Sequence, residues 1–153
     1  MGNILTHIRD FKVTAHPAVT TSQKFWEDCG VKLTGKDFKA QFVGLEVEAV
    51  EAGILSISKL QKNSLDATIL SELGIKAETS VLHFAELLHQ NRKSSEIFIG
   101  YLRGLDGKLW AVFASWFAGD DGWFVDPSSV TDPVWWDVGY RVVSRLPTRK
   151  AGK

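Results

Sequence analysis

The stretch KLWAVFASWF, residues 108–117, constrains the fold of this chain more than any other. Successive side chains of a strand point to opposite faces of its sheet. Read as a strand, it sets Trp110, Val112, Ala114 and Trp116 on one face and Leu109, Ala111, Phe113 and Phe117 on the other. Both faces are apolar. The run EIFIGYLRG, 96–104, repeats the pattern, with Ile97, Ile99 and Tyr101 opposing Phe98, Gly100 and Leu102. A sheet wetted on one side would alternate apolar with polar residues instead. These strands therefore belong to a sheet that must be covered twice.

Asp106-Gly107 is a tight-turn signal between the two runs. GDDG, 119–122, marks a second turn before WFVD. Two Asp-Pro steps, 126–127 and 132–133, bracket SSVT, and WWDVGYRVVS reads as a closing strand. The pattern predicts a four-stranded antiparallel meander in the C-terminal half.

The first half reads mostly as helix. Thr21 or Ser22 caps a short helix over 22–29 that Gly30 ends. Asn63 caps a helix over 64–73 with the stripe Leu65, Ile69, Leu73. Val81, Phe84, Ala85 and Leu88 follow the i, i+3, i+4, i+7 rule in a helix over 79–91. Residues 4–14 read as a short strand. Residues 36–60 fit both periods, leaning to helix near 36–50, followed by an irregular or extended ILSISKL.

Helices first and strands afterward predict an α+β chain. The expectation is one domain, 1–146, with N-terminal helices packed on the C-terminal meander, and a mobile basic tail, 147–153. Helices 64–73 and 79–91 would cover one face. The N-terminal segment, a partner subunit, a ligand, or curvature into a half-barrel would cover the other.

Eighteen basic residues balance eighteen acidic ones. No global field draws DNA, RNA or an anionic membrane, and near-zero net charge favours self-association. No apolar run reaches the roughly 18 residues of a membrane span. No secretory leader pattern opens the sequence. The single cysteine, Cys29, excludes an internal disulfide. A cytoplasmic protein is expected. MGNILT fits the N-myristoylation pattern at Gly2, yet one acyl chain binds membranes only marginally.

Trp116, Trp123, Trp135, Trp136 and Tyr140 form the candidate ligand or partner surface. Neighbouring strand residues face opposite ways, so Trp135 and Trp136 belong to different faces. With Trp136 go Val138, Tyr140 and Val142; with Trp135 go Asp137, Gly139 and Arg141, the wetter set. Asp120, Asp121, Asp126, Asp132 and Asp137 cluster without a basic residue, and then Arg141, Arg145, Arg149, Lys150 and Lys153 follow without an acid. Turn chemistry accounts for aspartates beside Pro and Gly. Asp121, Asp126, Asp137 and Arg141 are the candidates if acid–base catalysis occurs.

HFAELLH places His83, Glu86 and His89 at helix spacing. On a helical wheel His83 and Glu86 fall opposite the apolar stripe, which reads as a solvated face rather than a metal site. His7 and His16 have no partner in sequence. Glu27 and Asp28 would raise the Cys29 thiol pKa, the wrong direction for a nucleophile. There is no glycine-rich phosphate loop and no G-x-S-x-G. The sequence implies no cofactor and no metal.

WWDVGYRVVSR resembles the closing strand of small orphan bacterial proteins, including some carried on mobile gene cassettes. The resemblance runs from DGWFVD to VVSR. It implies a bacterial, cytoplasmic protein and assigns no activity and no functional residue.

The functional expectation is a non-catalytic binding or interaction protein. It would self-associate as a homodimer, or bind a small molecule, through an aromatic sheet face. The alternative is a small enzyme with a pocket between sheet and helices, using Asp/Arg acid–base chemistry.

Overall fold

A computed structural model describes residues 3–146. The lipidation expected at Gly2 and the mobile tail expected at 147–153 lie outside the described residues.

The chain opens with strands β1 (Leu5–Val13) and β2 (Val19–Thr21), then helix α1 (Gln23–Asp28) and β3 (Val31–Thr34). Ser22 starts α1 by accepting the Phe25 N–H at 3.1 Å. Gly30 turns the chain out of it at φ 95°, a left-handed angle that glycine adopts without strain. Helix α2 (Lys36–Phe42), β4 (Leu45–Val47) and β5 (Gly53–Leu60) follow. Within the ambiguous stretch 36–60, the helix expected over 36–50 ends at Phe42 and gives way to β4, and ILSISKL is a regular strand.

Next come β6 (Ser64–Leu65), α3 (Asp66–Leu73) and α4 (Val81–Gln90). Asn63 does not cap α3. Its Oδ1 accepts the Val138 N–H at 2.8 Å instead, and α3 starts only at Asp66. Ser80 caps α4 through the Leu82 N–H. Strands β7 (Phe98–Arg103), β8 (Leu109–Phe117), β9 (Gly122–Ser129), β10 (Trp135–Trp136) and β11 (Arg141–Arg145) complete the chain.

The main sheet has seven strands in the order β1-β5-β11-β7-β8-β9-β3. The α+β composition holds, but the four-stranded meander packed on N-terminal helices does not. Only β7, β8 and β9 form the expected antiparallel run. β11 pairs parallel with β7 and antiparallel with β5. β3 pairs parallel with β9. The N-terminal half thus contributes β1, β3 and β5 to the same sheet. Parallel partners need long crossovers and can lie far apart in sequence, so a reading by neighbouring runs does not find them. The half-barrel is also corrected: the sheet is open, with β1 and β3 as its edges.

WWDVGYRVVS is not one strand. Trp135 and Trp136 pair with Leu65 and Ser64 in a two-stranded ribbon outside the main sheet. Gly139, at φ 96°, redirects the chain before β11. The extended alternation through Val138 is lost, and Val138 is exposed while Trp136 is buried.

The alternation in β7 and β8 is realised as two cores. Phe98, Leu102, Val112 and Ala114 pack with Trp26, Phe38, Phe42, Phe84 and Leu88. Ile99, Tyr101 and Ala111 pack with Ile69, Leu73 and Trp136. So α1, α2 and α4 cover one face, while α3 and the β10 segment cover the other. The expectation that helices 64–73 and 79–91 share a face is corrected. The chain's own elements bury Leu55, Ile57, Phe98 and Val143 on one face of β5, β7 and β11, and Leu60, Ile99 and Val142 on the other.

Candidate functional site

Cover is incomplete at the β8–β9–β3 end of the α3 face. Trp136 stacks on Phe113, rings 6.2 Å apart and 15° from parallel. Phe113 meets Phe124 edge-on at 6.1 Å, and Phe124 meets Phe117 at 5.5 Å. Tyr140 lies 5.9 Å from Phe113. This aromatic ladder starts under β10 and runs outward until nothing overlies it. Phe117 is 43% exposed, and Leu33, the register partner of Phe124, is 38% exposed. Offset and edge-on aromatic pairs of this kind make a rigid apolar surface.

The sequence candidates fall into different places. Trp123 is fully buried, with its indole N–H donated to the Leu88 carbonyl at 2.9 Å. It presents no surface. Trp116 is half-buried and packs edge-on against Trp123 at 5.4 Å, on the face opposite the ladder. Trp136 is buried as the inner end of the ladder, and Tyr140 flanks it. Trp135 is the exposed one, at 61%. Its exposure follows from β10 being a ribbon whose inner side Trp136 occupies.

Trp136 is anchored by a carboxylate. Its indole N–H and the Tyr101 hydroxyl both donate to Oδ1 of Asp66, at 2.6 and 2.7 Å. Burial pushes the Asp66 carboxyl above its ordinary range, against the pull of these two hydrogen bonds. The anchor fixes the inner end of the ladder. Asp66 gave no signal in sequence beyond its place in the first turn of a helix.

The acid–base candidates are not assembled. Asp121 is exposed in the β8–β9 turn at φ 51°. Asp126 lies against Gly35, just before α2, and burial followed by the Asp37 charge raises its carboxyl. Asp137 is exposed and accepts a long hydrogen bond, 3.5 Å, from the Tyr140 hydroxyl. Arg141 turns elsewhere: its Nε donates to Glu96 at 2.8 Å and its Nη1 to the Gly139 carbonyl at 2.7 Å. Glu96 also takes a two-pronged contact from Arg9. Among the described residues no group of three His, Cys, Asp or Glu side chains has metal-binding geometry.

HFAELLH is where the structure departs furthest from the sequence reading. His83 is buried and its Nε2 contacts the Thr14 carbonyl at 3.2 Å. Glu86 binds His16. The side of α4 opposite its apolar stripe is not solvated, because the chain leaving β1 crosses it. The signal available was two unpaired histidines beside a helix carrying His and Glu.

No family model, curated protein or solved structure matches this chain. Among the described residues no helix is long and apolar enough to cross a membrane.

Proposed function

We propose that this is a non-catalytic binding protein, and that the open end of the aromatic ladder is its contact surface for a second copy of the chain. The observation that carries this is the exposure of Phe117 and Leu33 at the outer end of a sheet face whose Ile99, Tyr101 and Ala111 are buried. Rigid aromatic side chains of this type are enriched at interface centres. A formal net charge of zero leaves no overall repulsion between two copies. A two-fold dimer would set Phe117 and Leu33 of one copy against the same patch of the other. One free cysteine and a neutral surface fit a cytoplasmic setting.

The Asp/Arg enzyme reading draws no support from the geometry, because Glu96 rather than an aspartate engages Arg141. Sedimentation velocity at tens of micromolar tests the proposal. A concentration-dependent dimer is expected, reverting to monomer with Phe117→Ser. A parent protein that stays monomeric, or a dimer indifferent to Phe117→Ser and Leu33→Ser, would overturn it.

A further inference from the structure

On the opposite side of the sheet, a cleft of about 260 Å³ lies between the chain leaving β1, α1 and α4. Its walls are apolar, from Phe25, Leu82 and Ala85, with the Cys29 thiol among them. Its polar lining comes from Thr14, His16, Glu86, His89 and Gln90. Oε1 of Glu86 accepts the His16 Nε2–H at 2.7 Å. The same carboxylate accepts the Thr14 N–H at 3.0 Å and the Thr14 hydroxyl at 3.0 Å. The Glu86 side chain is only 9% exposed. Burial raises its carboxyl, but the hydrogen bonds from His16 and Thr14 outweigh that and hold it below its ordinary value.

The charge state follows. Glu86 is an ionised, acceptor-only group with its oxygens already used. The ring nitrogen facing it therefore carries the proton, and in the neutral ring the lone pair is on Nδ1. A paired antiparallel bridge to Val50 holds the His16 backbone in place. His83 meets the His16 ring edge-on at 6.0 Å. Among the described residues Nδ1 of His16 makes no hydrogen bond. The Cys29 thiol, pushed up to about 11 chiefly by burial, stays protonated and acts as a soft apolar wall.

We propose that this cleft binds a small uncharged molecule with an apolar ring and one hydroxyl, a phenol or alcohol, whose O–H donates to Nδ1 of His16. An anion is disfavoured by buried Glu86, and a charged ligand loses hydration against Phe25, Leu82 and Ala85. The site is independent of the aromatic ladder, since Phe25, Cys29 and Ala85 pack with the other core.

The test compares phenol with toluene, which has the same ring and no hydroxyl. Binding is followed by amide resonances of Cys29, Ala85 and Glu86, and by the alkylation rate of Cys29, the only cysteine in the chain. Phenol is expected to shift these resonances saturably and slow alkylation. Toluene should bind about five-fold or more weakly, the loss of one hydrogen bond. His16→Phe should remove the preference. Should His16→Phe fail to fold, the two probes on the parent protein decide. Equal or tighter binding of toluene, no saturable shift at these residues, or unchanged alkylation under saturating phenol would overturn the proposal.

Discussion

The Trp136 indole donates to Oδ1 of Asp66 at 2.6 Å, joining positions 70 residues apart. Tyr101 adds its hydroxyl to the same oxygen, so one carboxyl ties α3, β7 and β10 together. Oδ2 has no partner among the described residues. A buried acid with one unpartnered oxygen holds its proton more firmly than it would in water.

Asp66→Ala removes the acceptor of two buried donors. Each donor left unsatisfied costs about 1–3 kcal/mol. A loss of about 2–4 kcal/mol in urea denaturation is expected, with Asp66→Asn milder because its carbonyl oxygen replaces Oδ1. Because the folded pKa is raised, the folded state binds the proton more tightly than the unfolded chain. This group's contribution is therefore fullest below the ordinary value of 3.8 and is lost as pH rises from there through its raised folded value. Asp66→Asn should flatten that slope in melts across acid pH.

Glu96 has the opposite sign. Hydrogen bonds from Arg9, then from Arg141, outweigh burial and hold it down to about 2. Its contribution is present above its ordinary 4.5 and lost as pH falls toward 2. Allowing for solvent screening, Glu96→Gln should lower stability near neutrality by about 1–2 kcal/mol. Parent and variant should converge in thermal melts as the acid limit is approached. A constant difference at every pH would refute this account.

Gly100 in β7 faces Phe84 of α4. A Cβ there would stand 2.6 Å from the Phe84 ring. Gly100→Ala should cost about 1–3 kcal/mol by overpacking. Phe84→Leu in the same chain should recover part of it, which a double-mutant cycle measures.

Trp123 and Phe117 separate core from surface. Trp123→Ala should cost about 3–5 kcal/mol of monomer stability. Phe117→Ser, which loses only the half-exposed contact with Phe124, should cost about 1 kcal/mol. Chemical denaturation at low protein concentration checks both.

The two-faced strands, their hairpin at Asp106-Gly107 and the cap of α1 were legible in the sequence. Each depends on near neighbours: side-chain alternation, a turn dipeptide, a hydroxyl three residues from an N–H. The greasy faces of β7 and β8 were enough to require cover on both sides. That Trp135 and Trp136 face opposite ways was also legible, because adjacent extended residues point apart; which of the two is buried was not.

Only the tertiary structure decided which elements supply the covers, and which strands are neighbours. β11 returns beside β7, and β3 reaches β9, by crossovers that leave no local mark. Asp66 under Trp136, and Glu86 beside His16, are pairings between residues that look solvated or neutral alone. Their character comes from burial and from the donor brought opposite them. Periodicity encodes which face of an element is apolar; the partner that meets it is set by loop closure and packing across the whole chain.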